Sequence, residues 1–120
     1  MEGFFLGPTE TSMWPPVDIY ETEDKVVFEM DVPGTDPADI SVKIFRELLV
    51  IEGKRKEIAE ESRALNYFCI ERVSHSFRRV LTMPVTANII TGNATYDNGV
   101  LKIVFDKITS RMLQIPVKRA

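Results

Sequence analysis

A chain of 120 residues with 44% apolar and 28% charged residues holds one domain with a real core, not two. Its net charge of -3 argues against a nucleic-acid polyanion as main partner, and its single cysteine, Cys69, rules out an internal disulfide and fits the cytoplasm. No apolar run approaches the roughly 20 residues that cross a bilayer as a helix, and the opening GFFLGP falls short of the roughly 7–15 apolar residues of a secretory core.

Met1 to Trp14 mixes Phe4, Phe5, Leu6, Met13 and Trp14 with Gly and Pro and follows neither a helical nor a strand period. It reads as an arm, residues 1–15, with two open readings: packing back on the domain, or presenting its aromatics to a partner. Val17 to Glu21 and Lys25 to Val32 then read as two strands around an acidic turn, the second alternating through Val26, Phe28, Met30 and Val32. Pro33-Gly34 has the chemistry of a turn, since Pro presets φ at the second turn position and Gly tolerates the third. A helical turn is expected to begin at Asp36 or Pro37. The chain returns through Ile40, Val42 and Ile44, and Leu48 to Ile51, apolar at every position, suits a strand covered on both faces.

From Gly53 to Asn66 the sequence is highly charged and shows no buried face, and a loop of that length in a small domain is usually functional. Phe68 to Ile70 has the composition of a short strand riding on it. Ser76 to Met83 is a further strand, closed by Pro84. From Ile89 to Phe105 the signals agree best: Asn98-Gly99 suits a type I′ turn, and beyond it Leu101, Ile103 and Phe105 share one face while Lys102 and Asp106 take the other. Several short strands with almost no helix predict an antiparallel β-sandwich. In the terminal LQIPVKRA, Leu113 and Ile115 point the same way in an extended chain, and Pro116 suits an edge rather than a central strand. That segment is either the last strand of its own sandwich or a strand added to an exposed edge.

Catalytic chemistry has little support. Cys69 and His75 are the only nucleophile and base pair in view, no oxyanion-binding glycine cluster accompanies them, and one His with one Cys falls short of a metal ligand set. No phosphate-binding glycine loop is present, so no cofactor is expected, and Lys54, Arg55 and Lys56 run straight into Glu57, Glu60 and Glu61 as a solvated loop does.

Together these pieces resemble a small heat-shock protein. The matching residues are PPVDIYETED at Pro15 to Asp24, MDVPG at Met30 to Gly34, SF-x-R with its closing Pro at Ser76 to Pro84, A-x-x-x-N-G-V-L at Ala94 to Leu101, and the branched-x-branched tail at Leu113 to Ile115. The resemblance implies an immunoglobulin-like alpha-crystallin domain over residues 16–106 and a C-terminal extension over 107–120. It further implies that Leu113, Ile115 and Pro116 anchor the tail in another subunit's groove, lined by Val42, Ile44, Ile89, Thr91 and Asn93. A swapped homodimer would use Val17, Ile19, Tyr67, Phe68, Ile70 and Arg79, with Arg79 in an interface ion pair, and tails would link dimers into higher oligomers. His75 stands where many relatives have Gly, and Leu113 replaces the more usual Ile or Val. The function implied is ATP-independent capture of non-native client proteins, with Phe4, Phe5, Leu6, Met13 and Trp14 as the client-binding arm. The alternative is an adaptor sandwich that binds one defined folded partner.

Overall fold

The computed structural model describes residues 14–55, 63–72, 76–108 and 114–120; Phe4, Phe5, Leu6, Met13, His75 and Leu113 lie outside them. Alternation drives the central pair of strands. β2 (Lys25–Asp31) and β7 (Val100–Lys107) run antiparallel with Val26 opposite Phe105, Phe28 opposite Ile103 and Met30 opposite Leu101, all buried. The Phe28 and Phe105 rings meet edge-on, 6.0 Å apart, and burying each aromatic contributes about 1.5–3 kcal/mol. β1 (Val17–Glu21) flanks β2 and β6 (Ala87–Asp97) flanks β7, giving the order β1-β2-β7-β6. Asn98 and Gly99 close the β6–β7 hairpin with φ of 52° and 78°, the type I′ geometry.

The second sheet, β3-β4-β5, comprises Thr35–Phe45, Leu48–Arg55 and Ser76–Thr82. Leu49 and Ile51 of β4 and Phe77 and Leu81 of β5 meet the first sheet in one core. The described residues therefore form the expected all-β, immunoglobulin-like sandwich of two antiparallel sheets.

Local expectations differ in four places. Asp36 and Pro37 start no helix: β3 pairs Thr35 with Arg55 and next Ile40 with Gly53, so residues 36–39 oppose Lys54 alone. That irregularity takes up Pro37, whose missing N–H cannot serve a ladder, while the Asp36 carboxylate accepts from the Ala38 amide at 2.9 Å. Leu48 to Ile51 is not covered on both faces, because Leu49 and Ile51 are buried and Leu48 and Val50 only half-buried. β4 also runs on to Arg55, since Gly53 and Lys54 find partners in Phe77 and Ser76 of β5. Residues 66–70 form no strand within this chain, and Phe68 is fully exposed.

Two contacts orient the sheets. Trp14 packs edge-on against Phe77 of β5 at 5.9 Å, and the Arg79 guanidinium of β5 donates to the carbonyl of Pro15, two residues before β1. Pro15 and Arg79 are buried, and that burial pushes the guanidinium below its ordinary pKa. β1 and β5 therefore share one side of the sandwich, and Trp14 with Pro15 fills part of it. The other two edges, β6 and β3, fall together on the opposite side.

The base of the hairpin is pinned by polar contacts. Lys107 Nζ pairs with Glu21 at 2.9 Å and donates to the Thr22 carbonyl at 3.0 Å, while the Thr86 hydroxyl donates to Glu21 at 2.9 Å. Lys107 first and Thr86 second hold the Glu21 carboxyl below its usual range. The Ile108 amide donates to the Thr86 carbonyl at 2.7 Å, so the chain leaves the domain from a fixed point.

Candidate functional site: the uncovered seam between β3 and β6

Cross-strand partners share a face, so the registers show which side chains look into this seam. On β3, Ile40, Val42 and Ile44 oppose Gly53, Ile51 and Leu49, and the last two are core residues. On β6, Ala94 and Tyr96 oppose Ile103 and Leu101, and the Tyr96 hydroxyl donates to the Val32 carbonyl at 3.0 Å. Ile40, Val42 and Tyr96 pack against the core while remaining partly exposed; Ile44 and Ala94 are exposed. Among the described residues nothing covers this row as Trp14 and Pro15 cover the other side.

Of the residues expected to line the groove, Val42 and Ile44 sit there. Asn93 does not: it opposes Val104, on the sheet's outer face. Ile89 and Thr91 belong to a bulge, because Asn88 pairs with Asp106 and Asn93 with Val104, leaving residues 89–92 opposite Phe105 alone. The Thr91 hydroxyl replaces the lost ladder contact by accepting from the Asp106 amide at 2.7 Å and donating to the Asn88 carbonyl at 2.6 Å. This bulge turns Ile89 and Ile90 outwards, and Ile90 is 87% exposed. Gly92 makes it possible, since a Cβ there would lie 2.7 Å from the buried Phe105 ring. Gly92→Ala is accordingly expected to lower stability by about 1–3 kcal/mol through overpacking, seen as a lower urea midpoint. An unchanged midpoint would mean the ring yields freely.

Ile40 joins Val42 and Ile44 by the alternation expected of β3, whereas Ala94 and Tyr96 are not among the lining residues expected on β6. Their signal was present, because the Asn98-Gly99 turn fixes Tyr96 opposite Leu101 and parity then carries Ala94 inward. The bulge had no such signal.

The remaining candidates lie elsewhere. Val17 is half-buried against the core, Ile19 is exposed on the β1 edge, and Tyr67, Phe68 and Ile70 are exposed in the irregular segment 63–72. Arg79, on the edge strand β5, is buried and donates to the Pro15 carbonyl at the arm's junction. Residues 114–120 run without pairing, leaving Ile115 80% and Val117 96% exposed, and Pro116 exposed between them. Among the described residues no three His, Cys, Asp or Glu side chains converge on a metal position, and Cys69 is exposed. No described helix is long and apolar enough to cross a membrane.

The family model described as "Hsp20/alpha crystallin family" matches residues 18–118. Small heat shock protein C2 of Rickettsia felis is 35% identical over 103 residues, covering 86% of this chain and 66% of that protein. A 17.7 kDa class II heat shock protein of Arabidopsis thaliana is 33% identical over 94 residues, 78% of this chain and 60% of that one. The chain thus spans less than two thirds of the length of these curated relatives. Among solved structures, a small heat-shock protein from Xylella fastidiosa, described as having a distinct high order structure, aligns with a TM-score of 0.74 at 34% identity, over 90% of this chain and 99% of that one. The hspA protein of Xanthomonas axonopodis aligns with a TM-score of 0.67 at 35% identity, over 78% and 92%.

Proposed function

Because the chain belongs to the Hsp20/alpha-crystallin family, the small heat-shock proteins, we propose that it is an ATP-independent holdase that captures partly unfolded proteins and keeps them from aggregating. The observation that carries this reading is the pairing of an apolar seam, left partly exposed between two sheet edges, with a tail whose apolar side chains are also exposed. Partly unfolded clients expose apolar surface and unpaired strands, and a seam of this kind competes with their self-association.

In this reading residues 16–106 are the scaffold, and the arm, residues 1–15, with the extension, residues 107–120, makes the contacts between molecules. Leu113 and Ile115 of one copy dock in the seam of another, linking subunits and masking the apolar row at once. Tyr67, Phe68 and Ile70 reach the β1 edge of a second copy near Val17 and Ile19, making a swapped homodimer. Individually weak tail contacts hold an assembly together because several act at high effective concentration. Warming then releases subunits without fuel, exposing the seam together with Phe4, Phe5, Leu6 and Met13, while Trp14 stays packed on Phe77.

Light scattering of an unrelated, heat-denatured client tests this directly. Near-stoichiometric amounts of the full chain are expected to suppress the scattering, and deleting Met1 to Met13 to weaken that suppression while the domain stays folded. A client that aggregates undiminished beside the full chain would overturn the holdase reading; full protection by the shortened chain would remove the arm from it.

A further inference from the structure

We infer that residues 1–13 lie at rest across the outer face of their own β3-β4-β5 sheet, with the Phe4 and Phe5 rings beside Phe45. The inference goes beyond the holdase reading and does not depend on it.

Parity divides each strand between the core and this face. Since Leu49, Ile51 and Leu81 enter the core, Phe45, Leu48, Val50 and Val80 point outwards, Phe45 across from Leu48 and Val80 across from Val50. The four make one strip. Leu48, Val50 and Val80 are only half-buried, and Phe45 is 61% exposed, with the Arg46 guanidinium 5.2 Å from its ring. An apolar strip of this kind on a sheet's outer face marks an interaction surface.

Where the arm joins the domain narrows the choice of occupant. Trp14 sits on Phe77 near the start of β5, the edge strand of this sheet. From Phe77 to Phe45 the path runs along β5 to Thr82 and then two strand spacings across, about 20 Å at standard rises. Phe5 stands nine residues before Trp14, an extended reach of about 30 Å. The arm has chain enough.

Charge picks the face. Residues 1–13 carry Glu2 and Glu10 and no lysine or arginine. On the outer face of β3-β4-β5, Lys43, Lys54 and Arg78 outnumber Glu52, which pairs with Arg78 at 2.8 Å. The outer face of the other sheet sets Asp18, Glu29, Asp31, Asp97 and Asp106 against Lys25 and Lys102, and so repels an acidic arm. On the basic face the arm's aromatics are stored rather than displayed.

Hydroxyl-radical footprinting of the full chain, read by mass spectrometry, tests this. Deleting Met1 to Met13, with Trp14 kept, is expected to raise oxidation of Phe45 and Leu48 by roughly threefold or more, as the release of even one buried aromatic implies. Tyr20, on the outer face of the other sheet, should not respond. Unchanged rates at Phe45 and Leu48 would overturn the inference, and an equal rise at Tyr20 would do so too, by showing that the deletion loosens the molecule at large. Lys43→Glu with Lys54→Glu, both exposed, should raise Phe45 and Leu48 oxidation with the unfolding midpoint kept, and adding Glu2→Lys with Glu10→Lys should restore protection. Failure of that restoration would overturn the choice of face. Carbodiimide coupling in a mixture of isotopically light and heavy chains should join Glu10 to Lys43 or Lys54 within single chains; light–heavy products in statistical proportion would place the arm on a second copy and overturn its assignment to its own sheet.

Discussion

Replacing Leu113 and Ile115 together with Gly is expected to shift the protein from its assembled form to dimers in size-exclusion chromatography. Each side chain contributes about 1.5–3 kcal/mol when buried from water. Losing both weakens a docked tail by about two to four powers of ten, before counting the greater freedom that glycine gives the unbound segment. In an assembly held by several tails, as proposed above, the loss compounds. The domain itself should be untouched, since residues 114–120 make no pairing with it. An unchanged elution volume would mean that subunits are joined by something other than these two residues.

The second large effect is expected from Arg79→Ala. The guanidinium is buried and donates to the buried Pro15 carbonyl, so truncation leaves that acceptor without this donor and a hole where the side chain packed. Together these should cost about 2–4 kcal/mol, or roughly 10–20 °C of Tm for a domain of this size. Trp14 gives the change a local readout, because it is the sole tryptophan and lies on Phe77, two residues from Arg79. Its emission should shift to the red at denaturant concentrations below the main transition. Arg79→Lys should recover only part of the loss, since an ammonium can donate one bond but cannot supply a planar fork. A variant with the parent midpoint and the parent emission would show that the junction is held without Arg79.

Sequence and structure agree where a feature is short-range. Asn98-Gly99 carries its own turn chemistry, and the alternation in β2 and β7 needs no knowledge of what lies opposite; hence the hairpin, the sandwich and the inward row of β3 were all legible. Arg79 shows where legibility ends. Its acceptor, Pro15, is 64 residues away in sequence, and no local pattern joins them. The bulge is similar, since it turns on a Thr91 hydroxyl reaching the Asp106 amide of the next strand. Arg46, with φ of 58°, makes the β3–β4 turn without the Gly or Asn that would announce it. Residues 66–70 have strand composition and no strand partner in their own chain, because a strand is defined by what it pairs with as much as by its residues. As for the seam, Val42 and Ile44 could be placed by alternation, whereas the inward face of β6 required counting back from the turn and stopping at the bulge.

That bulge also bears on how the molecule avoids becoming a fibre. A sheet that displays an apolar margin invites endless sideways stacking, each new copy templating the next along a straight run of amides and carbonyls. Here the longest unbroken run of pairing on β6 is Asn93–Asp97, and on β3 Ile40–Phe45. The irregularities at residues 89–92 of β6 and 36–39 of β3 each break the straight run on which a ribbon would template, a device by which an edge discourages open-ended stacking while sticky surface remains on display.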